Sequence, residues 1–184
     1  YNTALGQSAL YGATVTGSSN IAVGTNDQSY DSPLRYLTSG SSNQAIGNGA
    51  LAQLTTGNFN SALGRAALYY ANGNYNIGIG HNAGYSASGA SGSGNISIGA
   101  YAGSSLTTGG NNTLVGGVNA ASYNSTGGAL TSGSLNVFIG GAAGAFTTTA
   151  NYNVAVGFQS LLSNTTASSN TAVGYQAGYL TTAS

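Results

Sequence analysis

One five-residue pattern constrains this chain more than anything else in it. Asn, any residue, a small residue, an aliphatic residue and Gly recur ten times, starting at Asn2, Asn20, Asn43, Asn60, Asn76, Asn95, Asn112, Asn136, Asn153 and Asn170. The intervals are 18, 23, 17, 16, 19, 17, 24, 17 and 17 residues, so the usual period is 17 with two longer insertions. A unit this short cannot bury a hydrophobic face by itself. Only stacking against its neighbours can, which is the logic of a solenoid.

Each glycine is followed by a second half rich in Ala, Leu, Gly and Tyr: QSALY at 7–11, RAALY at 65–69, HNAGY at 81–85 and YQAGY at 175–179. A polar turn comes next, such as Leu54-Thr55-Thr56-Gly57, Leu106-Thr107-Thr108-Gly109 or Phe146-Thr147-Thr148-Thr149. Each unit therefore reads as strand, tight corner at Gly, second strand and turn. The fold expected is all-β: a β-solenoid, or β-roll, of about ten 17-residue rungs with two short strands per rung. Rungs roughly 4.8 Å apart give a rod on the order of 50 Å long. No stretch has a helical period long enough for a crossover helix, which excludes a parallel βαβ fold.

Alternation along a strand puts the second and fourth motif positions on one face and the third on the other. The fourth position is always aliphatic (Leu5, Val23, Ile46, Leu63, Ile79, Ile98, Val115, Ile139, Val156, Val173) and is expected to form the core. The third is usually Ala or Gly, suited to a face pressed against another backbone. Leu114 and Phe138 depart from this and require different local packing. The glycine fits a positive φ or a contact too close for a side chain. The recurrent Asn fits a ladder of side-chain amides bonded from rung to rung, with a plain turn former as the other reading.

Composition narrows the function. Charged residues make up 2% of the chain, against roughly 25% in a typical soluble domain. They are Asp27, Asp31, Arg35 and Arg65, with His81 as the one histidine. Two arginines make no basic stripe for nucleic acid or an anionic membrane surface. No apolar run approaches the roughly 20 residues of a membrane span. Without cysteine there are no disulfides or thiolate metal sites. Low-charge Gly/Ser/Asn chains are often disordered, but here 41% of residues are apolar and recur at fixed places, which argues for order.

Two carboxylates build neither a general acid–base pair nor a triad, and no cofactor motif is present, so the chain reads as a non-enzyme. Asp27, Asp31 and Arg35 all fall in the first insertion, residues 25–42. A calcium site needs more oxygen ligands, and a solvated loop with an Asp31–Arg35 contact is the expectation. The second insertion, residues 117–135, is uncharged. Both insertions are expected to protrude, where recognition usually sits. His81 takes a corner position that other repeats fill with Tyr175, Phe158, Gln7 or Arg65, and reads as an outward, substitution-tolerant site.

Four sequons begin at Asn95, Asn111, Asn124 and Asn164. Asn95 is also a ladder position, so Asn124 and Asn164 in turn regions are better candidates; the Thr/Ser turns are candidates for O-linked sugar. Tyr11, Tyr69, Tyr85 and Tyr179 end their second strands and suggest a rough aromatic row, either stacked rung on rung or forming a platform for sugar rings. The chain reads as one repetitive segment, 1–184. It lacks an initiator Met, and its first and last motifs are in phase if Ser184 is joined to Tyr1. That suggests a piece of a longer fibre or a unit that polymerises end to end.

The motif series NTALG, NIAVG and NTAVGYQAG, with its short Ala/Gly-rich second halves, resembles the head repeats of trimeric autotransporter adhesins and related repeats of phage and other viral tail fibres. The resemblance spans essentially the whole chain, with a longer period than the bacterial heads. It implies a left-handed β-roll with two strands per turn, three rolls around a common axis, and a location outside the cell, on its surface or on a virion. The small third position is compatible with close chain–chain packing around that axis. The functional expectation is the structural shaft of an extracellular filament, self-assembling and adhesive, partnered by copies of itself and by covalent or bound glycans. The alternatives are an ice-binding β-solenoid and a receptor-binding segment of a phage tail fibre. A polysaccharide-cleaving β-helix is argued against by the lack of clustered carboxylates.

Overall fold

A computed structural model of the chain describes residues 1–12, 14–86, 88–118 and 124–180. It is an all-β solenoid of about ten turns with roughly 17 residues per turn, and no helix occurs among the described residues. Its ten strands are β1 (Thr3–Leu5), β2 (Ile21–Val23), β3 (Gln44–Ile46), β4 (Ser61–Leu63), β5 (Ile77–Ile79), β6 (Ile96–Ile98), β7 (Thr113–Val115), β8 (Val137–Ile139), β9 (Val154–Val156) and β10 (Thr171–Val173). They form one parallel sheet in chain order. Equivalent motif positions stack in register, as in Ala45 on Ala62 and Ile46 on Leu63.

The motif asparagines form a continuous ladder from Asn2 to Asn170, buried from Asn20 to Asn153. Asn43 shows the pattern. Its Oδ1 accepts from the Asn60 backbone N–H (2.9 Å) and from Asn60 Nδ2 (3.0 Å). Its Nδ2 donates to Asn20 Oδ1 (3.1 Å) and to the Gly57 carbonyl (2.9 Å). All four hydrogen-bonding sites of the amide are filled, which is what lets a polar side chain be wholly buried. The corner glycine has both constraints expected of it: Gly47 has φ +125°, and a Cβ there would come 2.7 Å from the Gly64 carbonyl oxygen.

The orientation of the strands reverses the expected inside and outside. None of Leu5, Val23, Ile46, Leu63, Ile79, Ile98, Val115, Ile139, Val156 and Val173 is buried: Leu63 is 50% exposed, Ile46 and Ile79 are exposed, and Val23, Ile98, Val115 and Val156 are half-buried. The third position points inward instead, with Ala22, Ala45, Leu114, Phe138 and Ala155 fully buried. It therefore faces its own roll and is not available for packing against another chain. The reason is the width of the turn. Seventeen residues enclose a thin interior, and most of the side chains that fill it come from the other side: Leu34, Leu37, Leu51, Leu54, Leu68, Leu106, Leu130 and Leu161.

That other side is not the second strand expected from the sequence; each turn carries one regular strand. The second half is a run of overlapping hydrogen-bonded turns, with Ala50 N–H to Gly47 O, Ala52 N–H to Gly49 O and Leu54 N–H to Leu51 O. Gly49 and Leu51 both lie at positive φ, as the third residue of a type II turn must. Among the described residues, 21 non-glycine residues have positive φ, and none of them is β-branched, in line with the steric cost of that region. These turns still bond rung to rung, for example Leu51 N–H to Ala67 O and Gln53 N–H to Tyr69 O.

Of the first insertion, only the leading part leaves the rung. Leu34, Tyr36 and Thr38 donate to Ala50, Ala52 and Thr55 in the next turn, so the later part of 25–42 runs in register. In 117–135, Gly127, Ala129 and Thr131 do the same toward Ala143, Ala145 and Thr148. Residues 119–123 of that insertion lie outside the described residues.

Candidate functional site

Two surfaces stand out on an otherwise neutral rod. The first is the outer face of the sheet. Second and fourth motif positions alternate outward on every strand, and the fourth is Leu, Val or Ile on all ten. Beside this row run Ile21, Ile77, Ile96, Val137 and Val154 at the second position. In-register stacking turns these residues into one apolar stripe along the rod, with no charged residue in any of the ten strands.

The second surface gathers every charged side chain of the chain on one flank. Arg65 Nε donates to Asp27 Oδ2 (3.2 Å), and its guanidinium lies 4.2 Å from the centre of the Tyr30 ring and 3.5 Å from His81 Nε2. Asp31 is a hub: Arg35 approaches it at 3.4 Å, Gln53 Nε2 donates at 3.2 Å and the Tyr69 hydroxyl at 3.0 Å. The expected Asp31–Arg35 contact is present, and His81 sits half-buried edge-on to Tyr101. Backbone N–H groups of Ser29 and Tyr30 donate to Asp27 and hold its carboxyl down at about 2.

The tyrosines do not form one row. Tyr69 and Tyr85 stack at 5.5 Å and join Tyr30 and Tyr70 in a compact cluster. Burial, then neighbouring Tyr70, pushes the Tyr85 phenol up to about 12, and burial also raises Tyr69. Tyr179 packs separately near Ala142, Ala145 and Leu162. Tyr11 is 67% exposed and stands beside Arg35 and Tyr36, 6.0 Å and 5.5 Å respectively separating the guanidinium from the two ring centres. The sequence showed the tyrosines but not this grouping. Arg65 and Asp27 are 38 residues apart and meet only because the leading part of the first insertion folds down across two rungs.

Of the sequon asparagines, Asn111 is exposed and Asn124 half-buried. Asn95 is buried in the ladder, and Asn164 is fully buried with its Nδ2 donating to the Ala167 carbonyl, so neither can carry a glycan in the folded chain. Threonines of the polar turns align despite their uneven spacing. Thr38, Thr107, Thr131 and Thr148 each donate a hydroxyl to the carbonyl of the equivalent Thr one rung on.

No protein-family model matches the chain, and no curated protein or solved structure matches it either.

Proposed function

We propose that this chain is the structural shaft of an extracellular filament, and that copies associate side by side through the outer face of the sheet. The observation that carries the reading is the aliphatic row on all ten strands, none of it buried within its own roll. Monomeric soluble proteins rarely leave a contiguous apolar patch beyond a few hundred Å², and this one runs the length of the rod. Fully burying one such side chain contributes about 1.5–3 kcal/mol, so partial burial of ten repeated residues is ample for association. No charge interrupts the stripe, so nothing repels an approaching copy.

Three copies around a common axis, as the resemblance to autotransporter heads and tail fibres implies, is the arrangement we favour. In it the second and fourth positions make the contacts, since the third is occupied within its own roll. A glycan coat at Asn111 or at the exposed threonines would keep so uncharged a filament dispersed; its absence from native material would remove that part of the reading.

Sedimentation analysis of the full chain tests the association. A concentration-independent oligomer that Ile46→Arg with Ile79→Arg converts to a folded monomer supports the proposal. A wild-type chain that stays monomeric at every concentration overturns it. Ice binding is the second reading, favoured by the aligned threonines. Their hydroxyls are already engaged with the next rung, and Asn72 and Ser91 interrupt the column. Thermal hysteresis above a control protein would reverse this preference.

A further inference from the structure

The outer face of the sheet has two edges, and they differ in chemistry. The residue before each motif Asn lies at one end of its strand and the residue after each corner Gly at the other; on β4 these are Phe59 and Arg65. From the second rung to the tenth, the residue on the Asn edge has a positive φ, between 56° and 71°. Ser19, Ser42, Gly94, Asn111 and Ser169 meet that demand with small or polar side chains. Phe59, Tyr75, Leu135 and Tyr152 meet it with bulky ones, for which the left-handed region is costly. All four nevertheless face solvent, at 53%, 63%, 47% and 62% exposure. A strained and exposed apolar side chain does little for its own roll. We propose, building on the side-by-side association above, that the three rings bury against the Gly edge of a parallel copy at the same height: Phe59 against Arg65, Tyr75 against His81 and Tyr152 against Phe158.

Closure of a ring fixes the heights. When parallel copies surround an axis along the rod, the Asn edge of one meets the Gly edge of the next, and any axial shift would accumulate and leave the ring open. At equal height each ring on the Asn edge meets a group suited to it. The Arg65 side chain is 42% exposed and offers a cation to the Phe59 face; His81 and Phe158 offer aromatic partners. Elsewhere Ser19 and Ser42 meet Thr25 and Asn48, and Gly94 meets Ala100, polar with polar and small with small. Leu135 with Gly141 and Ser169 with Tyr175 instead set a large residue against a small one. Copies running in opposite directions would bring like edges together with the heights reversed. With ends aligned, Phe59 then faces Asn111, Tyr75 faces Gly94 and Tyr152 faces Ser19, so no ring meets a ring or a cation.

The chain has no cysteine, so introduced cysteines report contacts cleanly. Full chains carrying Tyr152→Cys and Phe158→Cys are co-expressed, and the purified oligomer is treated with a short bifunctional maleimide. We expect covalent pairs holding one copy of each variant, well above the yield from either variant alone. Equal or better pairing in a mixture of Tyr152→Cys with Ser19→Cys marks antiparallel copies and overturns the proposal, as does an oligomer that gives no covalent pair in either mixture. A second measurement separates association from folding. Phe59→Ser with Tyr75→Ser should weaken association roughly tenfold, the scale of lost aromatic contacts. In the Ile46→Arg, Ile79→Arg background, where the chain is monomeric, the same pair should leave the melting temperature unchanged or raise it, because Ser19 and Ser42 already fill that place. A lower melting temperature there means that the rings serve their own roll, and overturns the proposal. Sedimentation tells the two levels apart: a monomeric wild-type chain removes the association itself, whereas an oligomer with unpaired edges removes only this arrangement.

Discussion

The turns around β3 and β4 and those around β7 and β8 enclose the same interior by opposite means. In the first region the strand contributes Ala45 and Ala62, and the turn side contributes Leu51 and Leu68. In the second, the strand contributes Leu114 and Phe138, and the turn side has Gly127 and Gly144. A Cβ at Gly127 would come 2.9 Å from Leu114 Cδ2, and one at Gly144 would run into the Phe138 ring. Between them, β5 and β6 pair small with small: Gly78 with Gly84 and Ser97 with Gly103, leaving a void of about 10 Å³ beside Leu68 and Leu106. Outside β5 and β6, what these rungs keep is a similar summed volume across the roll, not the residue at either place. A close-packed interior requires no more than that.

Breaking the second region should have the largest effect. Phe138→Ala removes the ring that fills the space over Gly144 and should cost about 3–5 kcal/mol, read from denaturant unfolding. Adding Gly144→Leu should restore most of that loss, because leucine already occupies the equivalent place at positive φ in Leu51 and Leu68. If the double variant is no more stable than Phe138→Ala, complementary volume is not what these rungs share. The ladder, by contrast, is identical in both regions. Asn60→Ala and Asn136→Ala should therefore cost similar amounts, about 2–4 kcal/mol, through the buried donors and acceptors each leaves unmet; clearly unequal losses would show that the surrounding core governs the ladder.

Smaller effects sharpen the contrast. Ser97 Oγ is buried without a hydrogen-bond partner, so Ser97→Ala should hold or raise the unfolding free energy, by up to about 1 kcal/mol. A fall would mean the hydroxyl is engaged. The smallest effect is on pH. Asp27 is lowered in the fold, so its contribution is present above its ordinary value of 3.8 and is lost as pH falls toward about 2. Tyr85 is raised, so its contribution is present below 10.0 and is lost as pH rises through about 12. Stability should be flat between these limits, and hydrogen exchange at the extremes should loosen the charged flank before the rungs of β7 and β8. Equal loosening of both would refute this.

The repeat length and the parallel stacking were legible because the Asn and Gly positions carry hard constraints, a filled amide ladder and a left-handed corner too tight for a side chain. Inside and outside were not. Period-two alternation says that Ile46 and Ala45 face opposite ways without saying which faces inward, and hydrophobicity alone points to the wrong one. The usable signal lay across the rung: the two strands with a large third residue, at Leu114 and Phe138, are those with Gly127 and Gly144 opposite. The second half misread as a strand because its apolar residues alternate; what alternates is backbone handedness, visible only as φ. Of the charged flank only the Asp31–Arg35 contact was legible, because both residues fall in one insertion; Arg65, Tyr69 and His81 join it from later rungs.

The in-register ladder also has a consequence at the level of the gene. Every rung presents the same donors to one neighbour and the same acceptors to the other, so any two rungs can be made adjacent without altering either contact. Unequal exchange between the short encoded units could lengthen or shorten the rod one layer at a time, leaving the reading frame and the fold intact. Filament length would then become a trait that selection adjusts by copy number, while the loops borne on individual rungs diverge freely.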